Sequence, residues 1–233
     1  MYDVVALGEL LIDFTTQAVD PEGYPTMAAH PGGAPANFLA AIAKFGGKVG
    51  MLGKVGTDTF GKLLTNTLRG AGIETKGLVA ADEVFTTLAF VTLDENGDRE
   101  FAFARKPGAD TQLRFDELDL SLIDETRVFH FGTLSLTGEP ARTTTYRAVE
   151  YAKAHGKLVT YDPNLRKPLW NDLNEAKEQM LWGLRQADVV KISDEEVEFL
   201  FGLGVQDGAQ YILDHYPVKL VFVTCGADGC WFQ

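Results

Sequence analysis

A carboxylate, an amide and two guanidinium groups carry most of the chemical information in this chain. Asp13 lies near the end of an apolar run, Val4 to Phe14, broken only by Gly8, Glu9 and Asp13 itself. The run reads as a strand buried on both faces. Ligands of open α/β sheets bind outside the carboxyl ends of strands, and a carboxylate there offers two acceptor oxygens to the adjacent hydroxyls of a sugar. The alternative use of Asp13 is a helix cap or turn. Gly32-Gly33 precede Pro35 and Asn37 at a helix start. Two glycines let a ligand touch backbone, and Asn37 supplies a donor and an acceptor. An ordinary loop-to-helix junction would look similar, but the company of Asp13 favours a ligand. Arg105 follows a strand-like segment, and Arg166 lies in Asp162-Pro163-Asn164-Leu165-Arg166 after another. Arginines in such loops hold phosphate or carboxylate bidentately, or are simply solvated. Ser193 and Glu196 have the spacing of a capping box. Glu196 can instead order a water or a magnesium ion near phosphates.

Several tempting motifs fail. Thr224-Cys225-Gly226-Ala227-Asp228-Gly229 contains glycines, but Cys230-Trp231-Phe232 after it reads as strand, whereas a dinucleotide fingerprint opens a helix. The sequence contains no Gly-x-x-x-x-Gly-Lys-Ser/Thr loop. The four histidines have no metal-ligand spacing, and His130 reads as a hydrogen-bonded core residue. Trp170 and Trp182 read as packing residues.

The elements that must position these residues alternate. Strands are expected at Val49 to Val55, Val128 to Gly132, Leu158 to Asp162, Val189 to Ile192 and Leu220 to Thr224. Helices are expected from Pro35 to Phe45 and at Thr59 to Ala71, Glu139 to His155, Asn174 to Gln186, Asp194 to Phe201 and Gln206 to His215. Strand, helix, strand with short connections means right-handed crossovers and a mostly parallel sheet between helix layers, a three-layer α/β/α domain. Thr86 to Leu93 and Arg99 to Arg105 instead alternate in β fashion around Asn96-Gly97, a hairpin signal. With residues 15–31 they are expected to form a small β lid. The division is therefore a core of residues 1–14, 32–84 and 108–233, and a lid of residues 15–31 and 85–107. Phe101 and Phe103 alternate on one lid face and suggest a homodimer through the β layer.

Composition sets the limits. The 233 residues carry 33 acidic against 21 basic side chains, a formal charge of −12. Such a chain is a poor candidate for binding nucleic acid or anionic lipid. No apolar run approaches the roughly 20 residues of a membrane helix, and no signal peptide is visible at Met1 to Val5. Two cysteines, Cys225 and Cys230, make no disulfide framework, and a cytoplasmic setting is expected.

Taken together, the segments resemble the ribokinase-like (PfkB) carbohydrate kinases, and among them the fructokinases. The resemblance runs through Gly8-Glu9 with Asp13, Gly32 to Asn37, Gly53 to Gly61, Arg105 to Asp110, Asp162 to Arg166, Ser193 to Glu196, and Thr224 with Gly226 and Gly229. It implies transfer of the ATP γ-phosphoryl group to a primary hydroxyl of fructose, with Mg2+. It implies sugar contacts from Asp13, Gly32, Gly33, Asn37, Arg105 and Arg166. Ser193, Thr224, Gly226 and Gly229 would fall on the nucleotide, and Glu196 near magnesium through water. The physics agrees: phosphoryl transfer needs positioning and charge neutralisation, and a lid keeps water from the phosphoryl group. Ser193 stands where the family often has Asn.

One departure is large. The family's Gly-Ala-Gly-Asp, which opens a late helix and supplies an anion hole and the base, is absent from these 233 residues. Gly108-Ala109-Asp110 and Gly226-Ala227-Asp228 imitate it, but neither opens an expected helix, so Asp110 and Asp228 are rejected as the base. The expectation is a C-terminally truncated kinase that is inactive by itself. The alternatives are 2-keto-3-deoxygluconate or a nucleoside as substrate, the latter stacking on Phe14, Phe101 or Phe103, and, in another class, a non-catalytic sugar-binding fragment. A nicotinamide-dependent oxidoreductase is disfavoured, because no Gly-x-Gly-x-x-Gly follows the first strand.

Overall fold

Alternate residues of the first strand, β1 (Tyr2–Leu7), enter two different cores. Val5 and Leu7 pack with Phe129, Phe131 and Tyr161, and Val4 and Ala6 pack with Leu39, Met51 and Leu64. A strand buried on both faces must be apolar throughout, which is why its sequence shows no alternation. The computed structural model describes residues 1–93 and 99–233. After β1 the chain runs β2 (Leu11–Val19), β3 (Pro25–Gly32), α1 (Ala34–Lys44), β4 (Val49–Gly56), α2 (Thr59–Gly70), β5 (Leu78–Ala81), β6 (Leu88–Leu93) and β7 (Arg99–Ala104). It continues with α3 (Leu120–Asp124), β8 (Thr126–Gly132), α4 (Ala141–Ala154), β9 (Leu158–Asp162), α5 (Leu173–Gln186), β10 (Val189–Ser193), α6 (Asp194–Phe201), α7 (Val205–His215), β11 (Leu220–Thr224) and β12 (Cys230–Phe232).

The main sheet has the order β12-β11-β10-β9-β8-β1-β4-β5, with only β12 antiparallel. From β1 the chain winds to β4 and β5. From β8 it winds the other way, through β9 and β10 to β11. Right-handed crossovers in opposite directions put α1 and α2 on one face, and α4 to α7 on the other. The two cores agree: Leu39, Leu64 and Leu68 face one side, and Val149, Met180, Val197 and Ile212 the other. The winding reverses between β1 and β8, and the crevice at the carboxyl ends of those strands is where such a fold offers a ligand site.

The second sheet, β3-β2-β6-β7, stands apart as the lid. It corrects one expectation. The apolar run Val4 to Phe14 is not one strand but two, parted at Gly8-Glu9-Leu10. β1 pairs with β4 and β8, while β2 leaves to pair with β3 and β6. Residues 11–14 thus belong to the lid sheet, and Asp13 sits inside β2 rather than at the end of a core strand. The period misleads because Leu10 and Ile12 stay buried in the core beneath the lid. At the break the Pro35 ring covers Gly8 so closely that a Cβ there would meet Pro35 Cγ at 2.7 Å. Strands β6 and β7 pair antiparallel, Val91 opposite Phe101. The expected Asn96-Gly97 turn lies outside the described residues.

Asp58 ties lid to core. Its Oδ1 accepts from the amides of Phe60 and Gly61 at the start of α2, and its Oδ2 from the amide and hydroxyl of Thr86, which leads into β6. Burial alone would raise this carboxyl, but those bonds hold it below the ordinary carboxylate range. A depressed carboxyl adds stability above its unfolded value and loses it as pH falls through the folded one. Asp58→Ala is therefore expected to cost about 1–2 kcal/mol at neutral pH, and less at pH 3. Chemical denaturation at both pH values measures this, and an equal cost at both would refute the assignment.

Candidate active site

A small open pocket of about 140 Å3 lies where the reversal of winding puts it. Glu9 comes from the end of β1 and Leu134 from the turn after β8. Asp13 reaches in from β2, Gly33 and Asn37 from the start of α1, and Arg166 from the loop after β9. The lid closes one side with Phe101 and Phe103, their rings stacked with centroids 6.2 Å apart. These two phenylalanines alternate on one face as expected, but that face is turned to the pocket. They are half-buried there.

Each polar group in the pocket has a physical setting. Burial raises the Asp13 carboxyl above its ordinary range, against the pull of Arg166 and His30. Gly32 lies directly behind it: a Cβ there would stand 2.1 Å from Asp13 Oδ2. The Arg166 guanidinium has one described bond, Nη1 to the Leu165 carbonyl at 3.2 Å, and its carbon lies 5.7 Å from the Phe101 ring centre. Its remaining donors have no hydrogen-bond partner among the described residues. Glu9 is buried, and its Oε1 accepts from the Ala34 amide at 2.9 Å, capping α1. Burial pushes its carboxyl up to about 7, although hydrogen bonds from backbone oppose this.

The loop carrying Arg166 is held from below. Asn164, also in the pocket wall, adopts a left-handed φ of 46°. The next amide, Leu165 N, donates to Glu196 Oε1 at 2.6 Å. Glu196 Oε2 accepts from Ser193 N at 2.9 Å, and Ser193 Oγ accepts from Glu196 N at 3.2 Å. The capping box is present, and it clamps a loop of the pocket wall as well. Nearby, Asp162 ends β9 with Lys191 Nζ 3.3 Å away. Burial pushes Asp162 up to about 6, with Lys191 opposing and Glu196 adding to the rise.

Further along the same edge of the sheet, Ser193 and Thr224 are register partners at the ends of β10 and β11. Gly226 and Gly229 follow with φ of 55° and 98°, in a tight connection to β12 rather than a helix start. Added Cβ atoms would meet nothing within 4 Å at either glycine, so backbone is open to an approaching ligand.

Of the expected substrate contacts, Gly32 and Arg105 do not line the pocket: Gly32 lies behind Asp13, and Arg105 is bonded elsewhere. Its Nε and Nη2 donate to Asp110 Oδ2 at 2.8 and 2.6 Å, Nη2 to the Leu134 carbonyl at 2.9 Å, and Nη1 to Thr137 Oγ1 at 2.8 Å. Both Arg105 and Asp110 are buried. The guanidinium expected to hold a ligand is thus engaged, in this structure, in a buried pair with Asp110. Asp110 lies in a 3-10 turn, tied to Arg105. His130 is a core residue as expected, bonded to Thr160 Oγ1 at 2.9 Å. The pocket members whose role the sequence did not indicate include Glu9, Leu11, Leu134 and Asn164. A charge inside a buried apolar run was the available signal for Glu9.

Among the described residues, no three His, Cys, Asp or Glu side chains group to hold a metal ion. No described helix is long and apolar enough to cross a membrane.

A three-layer α/β/α core with a β lid over a polar pocket at its switch point is the build of a ribokinase-like small-molecule kinase. The whole chain, residues 1–233, matches the pfkB family carbohydrate kinases and belongs to that family. It is 46% identical over 230 residues to fructokinase-1 of Zea mays, covering 97% of this chain and 71% of that protein. It is 44% identical over 232 residues to a probable fructokinase-3 of Arabidopsis thaliana, covering 98% and 67%. Among solved structures, a fructokinase from Xylella fastidiosa superposes with a TM-score of 0.92 at 32% identity, over 100% of this chain and 73% of that one. A fructokinase of the same organism with bound ATP gives 0.90 at 31%, over 100% and 75%.

Proposed function

We propose that this kinase serves the ATP-dependent phosphorylation of fructose at a primary hydroxyl. The observation that carries the reading is the lining of one pocket by Asp13, Asn37 and Arg166 in a chain of this family. Asp13 accepts from sugar hydroxyls, Asn37 donates and accepts, and Gly32 and Gly33 leave room for both. Arg166 stands between sugar and phosphates and offsets negative charge as the hydroxyl oxygen bonds to the γ-phosphorus. The bond from that phosphorus to the ADP oxygen breaks, and in the net reaction the hydroxyl proton is released to solvent. Phe101 and Phe103 keep water from competing for the phosphoryl group. Ser193, Thr224, Gly226 and Gly229 hold the nucleotide along the same sheet edge. Both Glu196 oxygens accept backbone amides, so this carboxylate would reach Mg2+ on the nucleotide phosphates only through water. That ion would supply neutralisation of phosphate charge. An ATP requirement and two free cysteines fit a cytoplasmic setting.

An acidic sugar such as 2-keto-3-deoxygluconate is the second reading. The commitment of Arg105 to Asp110 counts against it, since one of two candidate cations for its carboxylate is spent. Titration calorimetry of the chain with fructose, ribose and 2-keto-3-deoxygluconate, beside a non-hydrolysable ATP analogue with Mg2+, tests the reading. Fructose should bind at least about tenfold more tightly than the others, a difference of about 1.4 kcal/mol. No saturable fructose binding, or a preference for the acidic sugar, would overturn it.

A further inference from the structure

The buried Arg105–Asp110 pair lines no part of the sugar pocket, yet its bonds reach segments that wall it. Arg105 follows β7 directly, two residues after Phe103, and its Nη2 holds the carbonyl of Leu134; both of those residues line the pocket. Thr137 Oγ1 also donates to that carbonyl, at 2.9 Å, while accepting from Arg105 Nη1. Asp110 Oδ1 accepts from the Thr87 hydroxyl, and the Thr87 carbonyl accepts from the amide of Ile12, next to Asp13 in β2. Gly108 leaves no space in this knot: a Cβ there would lie 1.8 Å from Thr87 Oγ1 and 3.0 Å from Arg105 Cγ. Arg105 itself borders a neighbouring cavity on the far side of the Phe101 and Phe103 wall, not the pocket that holds Asp13. Asp110 and Arg105 also act in opposite senses on the buried Glu9 carboxyl.

We propose that Arg105 and Asp110 are one positioning unit for the sugar pocket, setting Phe103, Leu134 and Asp13 relative to one another without touching the sugar. This assignment rests on the sugar-kinase reading above. A buried ion pair is weak evidence of net stability, but removing either partner leaves an uncompensated charge and loosens whatever the pair holds. A residue that bound sugar independently of Asp110 would show no such partner dependence. The two models therefore differ in whether Arg105 and Asp110 act together.

The test is the fructose dissociation constant of the folded chain, by calorimetry, for Arg105→Lys, Asp110→Asn and the double variant, with binding of the ATP analogue as control. Each single variant should weaken fructose about tenfold, and the double variant should be no worse than a single one by more than about twofold. ATP-analogue affinity should stay within about twofold throughout, since the nucleotide end lies elsewhere on the sheet edge. Loss of fructose affinity in Arg105→Lys alone, with Asp110→Asn like the parent, would overturn the proposal in favour of direct contact. Additive losses, or a lowered melting temperature with fructose affinity unchanged, would overturn it too. Should the charged variants fail to fold, Thr137→Val removes the Thr137 bonds to Arg105 and to the Leu134 carbonyl, both within the proposed unit. It is expected to weaken fructose about threefold, and no change would overturn the proposal. An unsubstituted chain that binds the ATP analogue but not fructose overturns the function reading itself, and this assignment with it.

Discussion

Asp13→Asn should weaken fructose binding by about a hundredfold while leaving binding of an ATP analogue within about twofold. The carboxylate offers two charged acceptors to adjacent hydroxyls, and the amide replaces one of them with a donor that meets a hydroxyl's oxygen instead. Loss of fold would not explain the result. Burial already raises the Asp13 carboxyl, so a neutral side chain removes a desolvation cost in the folded chain. Gly32→Ala should reproduce the defect with Asp13 intact. Its Cβ would lie 2.1 Å from Asp13 Oδ2 and 2.8 Å from Cγ, so the carboxylate must swing away from the pocket. Calorimetry of both variants checks this. A Gly32→Ala chain that binds fructose like the parent would show that the position of Asp13 does not set affinity.

Much of this arrangement is legible in the sequence because it is local. The strands Leu158 to Asp162 and Leu220 to Thr224 and the helix Asp194 to Phe201 are found with the expected bounds. The capping box of Ser193 and Glu196 is likewise set by a three-residue spacing. What stays hidden depends on partners far along the chain. Glu196 reaches Leu165 across 31 residues, and Arg105 reaches Leu134 across 29. No spacing rule announces either contact. The alternation of Phe101 and Phe103 correctly puts them on one face of β7, but period alone does not say whether that face meets solvent or pocket. The break between β1 and β2 is hidden for a different reason. Burial on both faces in the main sheet and burial under the lid demand the same apolar residues, so only Gly8 and Glu9 mark the change of sheet.

Glu9 gives the second large effect. Its carboxyl rises from an ordinary 4.5 to about 7 in the folded chain, which corresponds to roughly 3 kcal/mol. Between those two values the folded chain keeps a proton that the unfolded chain has released. Its contribution to stability is therefore full below about pH 4.5, declines as pH rises toward 7, and is lost above that. Glu9→Gln has no charge to desolvate, and its carbonyl can still accept from the Ala34 amide. At pH 8 the variant should be more stable by up to about 3 kcal/mol, a melting rise on the order of 6–12 °C for a chain of this size. At pH 4 the two should melt together. Yet Glu9 stands in the wall of the fructose pocket, where a charged acceptor strengthens hydroxyl recognition. The parent's fructose affinity should thus increase from pH 6 to pH 8, while that of Glu9→Gln stays flat and lower. A site residue held at a stability cost for binding is the trade expected where function needs a strained group. Melting curves of parent and variant that coincide across pH 4 to 9 would remove the argument, because they would mean that the buried carboxyl carries no cost for binding to offset.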